Sequence, residues 1–244
     1  MTKRVRTGVT GLDEMLHGGF LEGAAVLVQG AAGTGKTTLG LQFLYTGIVE
    51  EGEPGLLITF EEFPSSLLRD AQEHGWDLRA LEETNKLRIL FTSPGILLSN
   101  LQSPDSPLND TILRWGIRRV VLDSVDHFQR ISHDPVALRE IYTTVLNALK
   151  REEITSLLTR EVSGTRLQSQ HDKLAYVVDT ILMMHYVEVN SAIERALLIL
   201  KARGSAHAQG IHRYEIKPGG IFVTERFEGL QGLLTGMPSR MPLR

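Results

Sequence analysis

Gly30-Ala31-Ala32-Gly33-Thr34-Gly35-Lys36-Thr37 is the stretch on which the reading of this chain turns, because it completes the pattern G-x-x-x-x-G-K-[ST]. Residues 24–29 (AAVLVQ) before it read as a short buried strand, and residues 37–50 after it read as a helix. That strand–loop–helix context separates a working phosphate-binding loop from a chance string. Glycines let successive backbone N–H groups face inward as a nest for phosphate oxygens, and the helix N-terminus adds partial positive charge. The motif expects Gly30, Ala32, Gly33, Thr34, Gly35, Lys36, Thr37 and Thr38 to line a nucleotide. Lys36 would reach the β- and γ-phosphates, and the Thr37 hydroxyl would ligate Mg²⁺. The cofactors expected are therefore ATP and Mg²⁺.

Outward from the loop, further apolar segments at 56–60, 87–91, 120–123 and 154–159 have the run-on character of buried parallel strands. Helical patterns at 37–50, 65–75, 108–115 and 135–152 alternate with them, the last opening on Asp134-Pro135 as N-cap and N1. Strands alternating with helices indicate an α/β fold with a mostly parallel central sheet flanked by helices. The Pro- and Ser-rich stretch 93–107 reads as a surface connection. Beyond residue 176, segments 177–187, 195–201 and 211–223 suggest successive antiparallel strands, with a turn at Pro218-Gly219-Gly220. One domain is expected over 1–230, followed by a tail at 231–244.

The 244 residues suffice for one full α/β domain. Composition, 42% hydrophobic and 23% charged, is that of an ordinary globular protein. A net charge of −3 argues against a protein that coats nucleic acid through a global basic field. The absence of cysteine excludes disulfides, thiolate metal sites and cysteine nucleophiles. Residues 1–10 carry charge without an apolar core, unlike a signal peptide, and no apolar run reaches the ~18 residues a membrane span needs. A cytoplasmic location is expected.

Nucleotide turnover needs more than the loop. Asp123 ends the run Val120-Val121-Leu122-Asp123, which places a carboxylate at the sheet's carboxyl edge beside Thr37, where it can hold Mg²⁺ through water. The plain alternative is a helix N-cap. Glu61-Glu62 follows the strand 56–60 directly, on the same edge. A carboxylate there can polarise the attacking water. Adjacent acids cannot point the same way, so one is expected to face the γ-phosphate and the other to orient it or face a neighbouring subunit. The plain alternative here is a solvated acidic pair.

Taken together, 6–23 (RTGVTGLDEMLHGGFLEG), 29–44 (QGAAGTGKTTLGLQFL), 59–64 (TFEEFP) and 120–125 (VVLDSV) resemble the KaiC family of RecA-superfamily ATPases. Lys201-Ala202-Arg203-Gly204-Ser205-Ala206-His207 resembles that family's K-x-R-G-[ST]-x-H segment. The resemblance runs in order over roughly residues 6–225. It implies a RecA-like fold, Glu61 as catalytic carboxylate and metal-side group with Glu62 beside it, and a homohexameric ring. It further implies that Lys201 and Arg203 reach the γ-phosphate on the adjacent subunit, with Ala202, Ser205 and His207 approaching the same nucleotide. Cations supplied in trans would stabilise charge in the phosphoryl-transfer transition state. Two residues apart on a strand, Lys201 and Arg203 would face one side.

The clock protein of this family has two such domains, and the sequence here has one. Its second domain carries adjacent phosphorylated Ser and Thr, where this chain has Ala175-Tyr176, so Ser/Thr autokinase activity is not expected. The functions that follow are ATP hydrolysis coupled to conformational signalling, or to binding of a regulatory protein. The alternatives are an autokinase, which Ala175-Tyr176 disfavours, and a RecA/RadA-like ATP-gated DNA-binding protein, with 160–173 as a partly basic loop. That loop lacks aromatics for base stacking, which argues against it.

Overall fold

The structure, a computed structural model, describes residues 3–162, 173–233 and 239–240. The chain begins with β1 (Arg4–Val5), α1 (Leu12–Met15), β2 (Phe20–Leu21), β3 (Ala25–Gly30), α2 (Lys36–Glu50) and β4 (Gly55–Thr59). It continues through α3 (Pro64–Glu73), α4 (Leu78–Glu83), β5 (Leu87–Phe91), α5 (Pro94–Gln102), α6 (Pro107–Trp115) and β6 (Arg119–Asp123). A 3-10 turn at Val125–Arg130 leads to α7 (Pro135–Arg151), β7 (Thr155–Glu161) and α8 (Lys173–Val177). The last elements are β8 (Thr180–Val189), β9 (Ala192–Ala202), β10 (His212–Lys217), β11 (Gly220–Arg226), β12 (Leu230–Gln231) and β13 (Ser239–Arg240).

Nine strands form one sheet in the order β11-β10-β9-β8-β3-β7-β6-β4-β5. The strands from β8 to β5 in that order are parallel, and β9, β10 and β11 add on antiparallel. This is the α/β architecture expected from the sequence. β3 lies at the middle of the sheet and splits its side chains between two cores. Val26 and Val28 pack with Leu39, Phe43 and Leu44 of α2, while Ala25 and Leu27 pack with Val145 and Leu149 of α7. Burial on both faces is why this strand reads as an unbroken apolar run.

Several local expectations need correction. Residues 93–107 are not a connection, because Pro94–Gln102 forms α5. The Ser93 side chain accepts from the Ile96 N–H, Pro94 starts the helix, and Leu97 and Leu101 are buried against the second core. Pro at N1 is pre-set for a helix, so the prolines mark a start there. α4 was not anticipated, and it is capped by Asp77, whose side chain accepts from the Ala80 N–H. The strand expected from 177 begins only at Thr180, because Lys173–Val177 is α8.

One buried charge ties the sheet to the N-terminal segment. The fully buried Arg119 at the start of β6 donates to Glu53 Oε2 at 2.8 Å, to the Arg6 carbonyl at 2.8 Å and to the Phe43 carbonyl at 2.9 Å. Its guanidinium lies 4.6 Å from the Phe43 ring centroid. Gly47 makes room for it, since a Cβ there would stand 2.2 Å from Arg119 Nε.

Candidate functional site

The loop Ala31–Gly35 follows β3 at the carboxyl edge of the parallel strands, and α2 starts at once after it. Gly33 and Gly35 have φ of +76° and +93°, a region that side chains strain to enter. A Cβ on Gly30 would stand 2.3 Å from the Met184 carbonyl oxygen, and one on Gly35 would stand 2.5 Å from Ile216 Cδ1. These glycines therefore let the loop lie against β8 and β10. Helices α4 to α7 are each N-capped by a side chain, from Asp77, Ser93, Ser106 and Asp134 respectively. α2 begins at Gly35 with no side-chain cap and no acid in its first turn. Its leading N–H groups have no partner within the helix, which suits them to an anion. Thr38 lies in that first turn, and Ala32 is exposed at the crown of the loop.

Within the loop, Thr34 Oγ1 donates to the Ala31 carbonyl at 2.8 Å, and Lys36 Nζ donates to the same oxygen at 2.9 Å. Burial pulls the Lys36 ammonium below the usual lysine range, against the attraction of Glu161, Asp123 and Asp126. Thr37 Oγ1 donates to Asp123 Oδ2 at 2.7 Å, so the two expected metal-side groups meet. The other Asp123 oxygen accepts from Thr159 Oγ1 on β7. Among the described residues no cluster of three or more His, Asp or Glu could hold a metal ion alone. Mg²⁺ takes one or two protein oxygens and completes its shell with phosphate and water, and Thr37 and Asp123 offer such oxygens. The donor set of uncapped N–H groups, Lys36, Thr37 and Asp123 fits a Mg²⁺-bound nucleoside triphosphate.

The two acids after β4 diverge. The Glu61 carboxylate is exposed and lies 3.0 Å from His127 Nε2, on the 3-10 turn that follows β6. Among the described residues no hydrogen bond or ion pair joins it to Thr37 or Asp123, so its expected metal role has no direct contact behind it. Partial desolvation lifts the Glu62 carboxyl above the usual carboxylate value, with Asp123, Asp70 and Glu61 adding to the effect. The acid whose titration senses Asp123 is thus Glu62.

Lys201 and Arg203 lie away from their own loop. Lys201 pairs with Ile181, and Ile181 pairs with Leu27, whereas the loop begins beyond Gly30, which pairs with Met184. The Arg203 N–H donates to the Asp179 carbonyl, and the Asp179 N–H donates to Ala25 at the opposite end of β3. Five residue steps separate Ala25 from Gly30, roughly 17 Å along the sheet, with two strand spacings of about 5 Å each across it. Arg203 stands in the turn after β9, not on the strand as expected. Both cations nonetheless turn to one place. Lys201 Nζ donates to the Ala175 and Val178 carbonyls at 2.8 and 2.6 Å, and Arg203 Nη2 donates to the Tyr176 carbonyl at 3.4 Å. They lie at the carboxyl end of α8, where cations are favourable. Desolvation, then the nearby Arg203, pulls Lys201 below the usual lysine range. Ala202 packs on the first core, Ser205 Oγ donates to the Ala206 carbonyl at 2.9 Å, and His207 is half-buried. Most of the 160–173 loop lies outside the described residues.

Sequence reasoning missed several groups at the site. Asp126 Oδ2 accepts from Ser124 Oγ at 3.2 Å and from the Glu161 N–H at 2.8 Å, which links the 3-10 turn to the end of β7. Arg195 on β9 lies 5.6 Å from the centroid of the Tyr186 ring, and the Tyr186 hydroxyl faces Gly33. Its buried Nε has no hydrogen-bond partner among the described residues. The signal was available for Asp126, three residues after Asp123. It was not for Arg195, which only the β8–β9 register brings to the loop.

A phosphate-binding loop on the central strand, an aspartate on a strand two places away and an antiparallel extension define a RecA-like P-loop ATPase fold. The chain belongs to the KaiC ATPase family, which matches it over residues 5–228. It is 34% identical over 243 residues to the circadian clock oscillator protein KaiC of Thermostichus vulcanus, across 98% of this chain and 46% of that protein. It is also 34% identical to KaiC of Synechococcus elongatus over 228 residues, 89% of this chain and 43% of that protein. The chain thus spans about half the length of these relatives. Among solved structures, a KaiC-like protein of the archaeon Pyrococcus horikoshii superposes with a TM-score of 0.82 at 30% identity, covering 92% of this chain and all of that one. Among the described residues no helix is long and apolar enough to cross a membrane.

Proposed function

We propose that this chain hydrolyses ATP to ADP and phosphate at sites shared between neighbouring copies of itself in a ring, a hexamer by family likeness, and couples turnover to a conformational signal or to a partner protein. The observation that carries the shared site is the placement of Arg203 at the far end of β3 from its own loop and of Lys201 level with Leu27 two strands away, beyond the reach of either side chain. Cations so placed serve a phosphate only on another copy. Thr37 and Asp123 would hold Mg²⁺, which would supply neutralisation of the phosphate charge. Lys36 would turn from the Ala31 carbonyl toward phosphate, and Glu61 would polarise the attacking water. Arg203 of the neighbouring copy stabilises charge on the transferred group.

Light scattering of the purified protein with and without ATP and Mg²⁺ tests the assembly. A ring is expected with nucleotide, and Arg203→Ala is expected to lower turnover in the assembled form. A protein that turns over ATP as a monomer, or an Arg203→Ala variant as fast as wild type, would overturn the shared site.

A further inference from the structure

Tyr214 on β10 lies 180 residues from the phosphate loop in sequence, yet its hydroxyl donates to the Thr34 carbonyl at 2.6 Å. Its side chain is 3% exposed and packs in the first core. The Thr34 carbonyl belongs to the same peptide unit as the Gly35 N–H. In a trans peptide these two groups point in opposite directions. A donor that holds the carbonyl toward the core therefore aims the N–H outward, into the concave face of the loop. Hydrogen bonds in series also polarise one another, so the Gly35 N–H becomes a stronger donor.

The neighbouring loop peptide is held from within. The Ala31 carbonyl accepts from Thr34 Oγ1 and Lys36 Nζ. Tyr214 supplies the external anchor, and its strand is well fixed. The Ile221 N–H of β11 donates to Gln42 Oε1 at 2.7 Å, and the Gly219 N–H donates to the His74 carbonyl at 3.2 Å. The β10–β11 hairpin is thereby pinned to α2 and to the end of α3, and the hydroxyl is delivered from a rigid mount. Burial raises the phenol's pKa, so it stays protonated and donating.

We infer that Tyr214 is a positioning residue of the phosphate nest: its hydroxyl sets the Thr34–Gly35 peptide so that the Gly35 N–H meets the phosphates of a nucleoside di- or triphosphate. The inference rests on the loop being the nucleotide site and is independent of the ring. Tyr214→Phe keeps the ring packing and removes only the donor. Kd for ADP and for inorganic pyrophosphate is measured by competition against a fluorescent nucleotide, at a temperature where both proteins are folded by circular dichroism.

Both ligands are expected to bind about fivefold more weakly to the variant, the equivalent of one ordinary hydrogen bond. Unchanged affinities would overturn the inference. So would a loss for ADP with none for pyrophosphate, because Tyr214 would then act through the base or ribose. A Lys36→Ala protein that binds ADP as well as wild type would instead remove the nucleotide site itself, a failure separate from that of Tyr214.

Discussion

Replacing Glu61 by Gln tests the chemistry at its most exposed point. Glu61 follows β4, its side chain is 72% exposed, and among the described residues it pairs with His127 at 3.0 Å. An amide of the same shape can keep that contact, and substitution at so exposed a side chain shifts fold stability by at most about 0.5 kcal/mol. What it loses, in the proposed mechanism, is a base. General-base assistance is worth roughly 10²–10⁴ in rate, or about 2.7–5.4 kcal/mol of barrier. Phosphate release from ATP and Mg²⁺ by Glu61→Gln should fall by that factor, while ATP binding measured by calorimetry stays within about twofold. Turnover near the wild-type rate would refute the role of Glu61. Parallel work on Glu62→Gln makes the result decisive, because Glu62 is the acid with the raised pKa, next to Asp123. If only Glu62→Gln loses turnover, the base is the second acid of the pair.

Three further outcomes follow from the same geometry. Mixing Glu61→Gln with Arg203→Ala should restore activity neither has alone, since about a quarter of head-to-tail contacts would pair an intact acid with an intact cation; no recovery on mixing would count against sites shared between copies. Glu53→Ala removes the carboxylate partner of the fully buried Arg119 and should cost about 3–5 kcal/mol in urea unfolding, and a loss below about 1 kcal/mol would show that the carbonyls of Arg6 and Phe43 suffice. Glu62 binds its proton more tightly in the fold than in the unfolded chain, so its contribution to stability is present at low pH and lost as pH rises through the raised value; Glu62→Gln should flatten that decline in thermal midpoint, and an unaltered pH dependence would place the effect elsewhere.

The parts of the fold legible in the sequence were those dictated by local physics. The run before the loop reads as a buried strand because β3 is covered on both faces. Asp134-Pro135 reads as a helix start because the Asp134 side chain can reach the Ala137 N–H, as it does at 2.9 Å. The same rule was missed at Ser93-Pro94, where three prolines and four serines within 93–107 gave the stretch a loop-like composition that masked the buried Leu97 and Leu101. Composition averages over a window, whereas a cap is decided by two residues and the spacing of the apolar ones after them.

At the site, the chemistry carried by a contiguous motif was readable and the chemistry assembled across the sheet was not. Thr37 and Asp123 could be paired in advance because a P-loop strand and an aspartate-ended strand share one edge of the sheet. Thr159 completes that pair from β7, and Asp126 joins β7 to the turn after β6, by contacts that require the strand order β3-β7-β6. Tyr214 is the extreme case, since nothing near it in sequence marks it as a neighbour of the loop. The antiparallel strands β9 to β11 therefore serve two ends of the sheet at once. They bring Tyr214 to the phosphate loop at the carboxyl edge of β3, and they carry Arg203 to the opposite edge with Lys201 beside it at the level of Leu27. Under the proposed shared site, a chain built this way would buttress its own phosphate loop and present its cations to a neighbour's, which is the division of labour the mixing experiment measures.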